Sequence, residues 1–228
     1  MSIDKDLRGL ERAAASGDAS AMSKLLTLKV RIGELNIWNV KHAASLGDQA
    51  SLMTTSPSSP RNVHANYASE MRGGFESLGF NDVDGVIGHL FKQENLMSIG
   101  VEFIQHAAKN VDAISPVLSN AILLAQRFVS FLKKSVHGPM RIERRAMETY
   151  RDISMLEIHD ESESQVRWAL AYLYRMAYDP GTPAAIDLVW VAIHCRMARG
   201  DGSPESQTKE LAWQRQHLID WLLHTPLK

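Results

Sequence analysis

Glu102 and His106 stand four apart in a stretch of helical periodicity. That spacing puts a carboxylate and an imidazole on one helix face, as metal ligands or an acid–base pair require. Asp220 and His224 repeat it near the end of the chain. A helical metal-binding protein or enzyme using Glu102 and His106 is therefore one reading; a surface or half-buried hydrogen-bonded pair is the plainer outcome of the same spacing. The Glu-x-x-His pairs on two helices that mark a di-metal carboxylate bundle are absent. His194 adjoins Cys195, yet helical neighbours point about 100° apart, so the thiol reads as core packing rather than a nucleophile beside its base. His217 and His224, seven apart with Trp213 and Trp221 close by, offer a binding face or two histidines at a core edge.

Other chemistry lacks a carrier. Arg72-Gly-Gly-Phe75 has no Lys-Ser/Thr after it, Gly85 and Gly88 form only a nonspecific Gly-x-x-Gly, and no Gly-x-Ser-x-Gly occurs. No catalytic residue, metal site or cofactor is assigned, and the protein is read as not an enzyme.

Charge is more telling. Lys133, Lys134, His137, Arg141, Arg144 and Arg145 make a basic cluster, and Glu157, Asp160, Glu161 and Glu163 an acidic one soon after. Each can complement a helix end, or one can dock an oppositely charged protein. Net charge is −1, which argues against nucleic acid and anionic membranes as partners. The single cysteine, Cys195, excludes an intramolecular disulfide and a multi-cysteine zinc site. The N-terminus lacks a signal-peptide core, and Ala184 to Ala198 is shorter than the roughly 20 residues that cross a bilayer. A cytoplasmic protein is expected.

These residues sit on elements whose ends are legible. Ala-Ala-Ala-Ser-Gly17-Asp18 and Ala-Ala-Ser-Leu-Gly47-Asp48 recur at an offset of 30 residues, a helix-stopping glycine before a capping aspartate. Helices are expected over 4–16, 18–32 and from 37, over a short 64–71, then over 83–91 and 94–110. Ser115-Pro116 opens another, with Val117, Leu118, Ala121, Leu124, Ala125, Phe128, Val129 and Leu132 as its apolar stripe. Pro139 opens the next, to about Met155; 157–163 reads as an acidic loop, 166–178 and 184–197 as central helices, and 205–223 as the last. With no strand-like alternation, the fold class is all-α: a multi-helix bundle with an N-terminal helix-turn-helix repeat-like leader. The Thr54–Pro60 run, Thr-Thr-Ser-Pro-Ser-Ser-Pro, divides a leader at 1–54 from the main bundle at 61–228, which one continuous domain would also accommodate.

Leu7-Arg8-x-Leu10-Glu11-Arg12 running into Gly17-Asp18, Leu25-Leu26, Val30-Arg-Ile-Gly33-Glu34-Leu35 and Ala43 to Asp48 resembles a leader of bacterial helical proteins of largely uncharacterised function. Ala121-Ile122-x-x-Ala125 before Phe128, and Glu210-x-x-Trp213-Gln214-x-x-x-Leu218, are similar to that group too. Some similar proteins are catalogued as immunity proteins of toxin systems, so the resemblance implies a partner that is a toxin. The sequence is thus read as a soluble protein–protein interaction module that occludes its partner. Glu157, Asp160, Glu161 and Glu163 are the expected contact residues, and Trp213 and Trp221 the aromatic anchors. An ankyrin-like adaptor is a third reading, set back by two copies and no Thr-Pro-Leu-His start.

Overall fold

A computed structural model describes residues 3–55, 82–88, 93–111, 114–134, 139–179, 184–199 and 203–224. Among these the chain is helical throughout, with no strand: α1 (Ile3–Ala15), α2 (Ala19–Arg31), α3 (Ile37–Ser45), α4 (Gln49–Thr55), α5 (Asp82–Gly88), α6 (Gln93–Lys109), α7 (Pro116–Lys134), α8 (Pro139–Ser154), α9 (Glu161–Tyr178), α10 (Ala184–Ala198) and α11 (Pro204–His224). The all-helical bundle expected from the periodicity is what forms. No described helix is long and apolar enough to cross a membrane. The helix expected at 64–71 and the prolines of the linker lie outside the described residues.

Two compact units divide the chain: Met1–Val86 with Arg215–Lys228, and Ile87–Gln214. In the first, two turns share one geometry. Gly17 (φ 90°) and Gly47 (φ 95°) adopt the left-handed conformation that stops α1 and α3. Asp18 N–H donates to Ala13 O at 3.2 Å, and Asp48 N–H to Ala43 O at 3.0 Å. The two aspartates then cap the helices that follow, Asp18 accepting from Ser20 and Ala21 N–H and Asp48 from Ser51 N–H. Leu26, Leu35, Val40 and Ala50 form the core, with Met22, Val30 and Leu223 against it. The end of α11 groups with this unit; Asn39 Nδ2 donates to Leu222 O at 3.1 Å.

The second unit is organised around α9, which packs against α6, α7, α8 and α10. Val166, Ala169, Leu170, Leu173, Tyr174 and Met176 are buried along it. On α10, Leu188, Val191, Ala192 and Cys195 are buried, so both helices hold the central place that their apolar content indicates. Gly100 of α6 allows a close approach: a Cβ there would lie 2.8 Å from Leu173 Cδ1 and 3.3 Å from Leu188 Cδ1. The α7 stripe is narrower than its spacing indicates. Leu118, Ala121, Ala125, Phe128 and Val129 are buried, while Val117 and Leu124 face outward, because a helix in contact on one side covers only part of a wide stripe.

Candidate functional site

Within the second unit the structure gathers polar and aromatic groups in two places. The first is internal. His106 reaches another helix: its Nδ1 lies 2.9 Å from Glu210 Oε2 of α11, and its ring stacks on Trp213 with centroids 3.6 Å apart. Phe103 meets Trp213 edge-on. Arg199, just past α10, donates to the same Glu210 oxygen at 3.0 Å. Glu210 is fully buried, and its Oε1 has no hydrogen-bond partner among the described residues. Burial pushes its carboxyl up to about 7, against the lowering pull of Arg199. Gln214, one turn on, donates to Ala192 O and accepts from Arg196. These contacts tie α6, the end of α10 and the start of α11 together.

This arrangement redefines three expected residues. Trp213 is half-buried and stacked on His106. Glu102 is exposed on α6, and His106 contacts Glu210; among the described residues no group of three or more His, Cys, Asp or Glu could hold a metal ion. At the other Asp/His pair, His224 Nδ1 bonds to the Asp220 carbonyl, and the Asp220 carboxylate accepts from Gln216. Trp221 is half-buried in the first unit.

The second place is an outer face shared by α9 and α10, which run antiparallel with Gln165 opposite His194 and Arg175 opposite Asp187. Tyr172, Trp190 and His194 form a three-ring plate with centroids 5.3–6.2 Å apart; Tyr172 is within 18° of parallel to each of the others. Trp168 lies one turn before Tyr172 and, like Trp190, keeps 37% of its surface exposed. Arg167 stacks over Trp168 and Arg175 over Tyr172. Asp187, fully buried, holds Arg175 through Oδ1. Burial lowers His194 to about 4, so its ring is neutral at pH 7. Cys195 points the other way into the core, its thiol pushed up by burial, as the separation of helical neighbours requires.

Of the acidic stretch, Glu161 is linked to this face through Gln165, and only part of the stretch is a loop. Helix α9 begins at Glu161, since the Asp160 side chain accepts from Glu163 N–H at 2.9 Å and caps it. Glu163 accepts the Ser115 N–H at the start of α7, which commits it to the fold. Glu161 accepts from Gln165 Nε2 at 2.6 Å. Glu157, Asp160 and Glu161 are exposed. Of the basic cluster, the side chains of Arg144 and Arg145 are described, both exposed, with Arg144 paired to Glu148 at 3.0 Å. No family model, no curated protein and no solved structure matches the chain.

Proposed function

We propose that this protein is a protein-binding module that engages its partner through the α9–α10 face. The observation that carries this reading is the plate of Tyr172, Trp190 and His194 with Trp168 beside it: large, partly exposed rings held on two packed helices. Such rings give much contact area for little conformational entropy, and tryptophan, tyrosine and arginine dominate interface energetics. The rings are braced from beneath by Gln165 and by the Arg175–Asp187 pair, so the face is pre-organised. The leader resembles that of bacterial helical proteins of largely uncharacterised function, and because some similar proteins are catalogued as toxin-immunity proteins the reading extends to a masking role, in which the bound toxin has its active site occluded.

The test is affinity capture from cells of the source organism with quantitative mass spectrometry, comparing the wild-type chain, Trp190→Asp and the surface control Arg144→Ala. The reading expects at least one protein retained by wild type and Arg144→Ala and lost with Trp190→Asp. Retention unchanged by Trp190→Asp would overturn it.

A further inference from the structure

Resting on that reading, we infer that the partner docks an arginine-bearing basic segment on this face, with a guanidinium against Trp190 and His194 and its charge met by carboxylates at the start of α9. The hydrogen bonds fix the necessary chemistry. Gln165 Nε2 donates to Glu161 Oε1 at 2.6 Å, so the Gln165 Oε1 facing His194 Nδ1 at 2.7 Å accepts. His194 Nδ1 is therefore the protonated nitrogen, and Nε2 carries the lone pair of a neutral ring. That nitrogen has no hydrogen-bond partner among the described residues. It is an acceptor beside an exposed indole, which suits a planar donor that also stacks.

The surrounding charge favours a cation, the exposed carboxylates of Glu157, Asp160 and Glu161 outnumbering Arg167, whose guanidinium donates to the Ser154 and Leu156 carbonyls. Glu161 is linked to the plate through Gln165, and exposed Asp160 and Glu157 precede it. The positive charge of Arg175 is already met by Asp187. Two arginines of the chain itself, Arg167 over Trp168 at 4.7 Å and Arg175 over Tyr172 at 4.5 Å, show that these rings accept a guanidinium at stacking distance. Trp190 and His194 have no such cation among the described residues. Arginine suits this site better than lysine, since an ammonium can meet the carboxylate or the lone pair but offers no plane to stack.

The probe is a capped peptide of alternating arginine and serine, with lysine and citrulline counterparts, titrated calorimetrically onto the full chain at several salt concentrations. The arginine peptide is expected to bind about tenfold more tightly than the lysine peptide, the citrulline peptide weakest. Trp190→Ala should remove the arginine preference, Glu161→Gln should weaken the arginine and lysine peptides alike, and His194→Phe, which keeps a ring and deletes the acceptor, should reduce the preference. Equal binding of arginine and lysine peptides, or a preference untouched by Trp190→Ala and His194→Phe, would overturn the inference. So would concentration-dependent dimerisation of wild type that Trp190→Asp abolishes, which would make a second copy the occupant. Failure of the peptide preference alongside Trp190-dependent capture leaves the protein-binding reading standing; loss of both removes both.

Discussion

Two histidine-centred clusters in the same unit use burial in opposite ways. His106 lies under Trp213 and against a fully buried carboxylate that Arg199 also holds; its partners come from inside the unit, and the cluster joins three segments. His194 lies in a plate of rings that reaches the surface, and its neighbour Gln165 leads outward to an exposed carboxylate. The first arrangement turns its rings and its ion pairs toward one another, apart from Glu210 Oε1, which has no hydrogen-bond partner among the described residues. The second leaves aromatic area and an acceptor turned outward, which is why the outer face, and not the more strongly charged inner one, is read as the binding site. Titratable groups displaced by burial mark functional sites and structural ion-pair networks alike; what separates them here is what remains for a partner to touch.

The contrast predicts that the inner cluster governs stability and the outer one binding. Removing Arg199 should have the largest effect: Arg199→Ala leaves Glu210 buried beside His106 without its guanidinium and should cost about 3–5 kcal/mol in denaturant unfolding, with capture per folded molecule unchanged. A change below 1 kcal/mol (about fivefold in the equilibrium,) would show that the cluster carries little.

The pH dependence sharpens the same comparison, because the two shifts oppose each other. Glu210, raised from 4.5 to about 7, holds its proton more tightly when folded. Its contribution is full below 4.5 and declines as pH rises to 7, a swing of at most about 3 kcal/mol. His194, lowered from 6.5 to about 4, contributes above 6.5 and loses that contribution as pH falls to 4. Wild-type stability should therefore vary little between pH 4.5 and 6.5 on their account. Glu210→Gln should make stability rise with pH there, and His194→Gln should make it fall. Equal slopes in the two variants would break the assignment.

Smaller effects belong to the supports. Gly100→Ala drives a methyl to 2.8 Å from Leu173 Cδ1 and should cost about 1–3 kcal/mol by overpacking. Asp160→Ala, removing the cap of α9, should cost about 1 kcal/mol, whereas Asp160→Asn should restore the stability and leave association with a basic partner slower. A thermal melt and an association-rate measurement separate these two roles of one residue.

Helix ends were the most legible part of the sequence, because caps and stops are local. Asp18, Asn36 and Asp48 cap as their types indicate, and Gly17 and Gly47 stop the helices before them. The acidic stretch was half legible: Asp160 followed three residues later by Glu163 is a helix-start pattern, so α9 begins earlier than its apolar run. The inner cluster was out of reach, since Glu210 meets His106 across 104 residues of chain and the i, i+4 rule pairs His106 with Glu102 instead. The outer face was partly readable. Glu161, Gln165, Trp168, Tyr172 and Arg175 recur at helical spacing along α9, but α10 is apolar almost all round, and only packing shows that Trp190 and His194 turn outward while Leu188, Val191 and Cys195 turn in.

The most direct measurement is oxidative footprinting of tryptophans with and without the protein retained in the capture experiment. Trp38, 55% exposed in the first unit, serves as the internal comparison. Protection of Trp168 and Trp190, with Trp38 labelled as before, is the result predicted for binding through α9 and α10. Protection of Trp38 with Trp168 and Trp190 still labelled would contradict it.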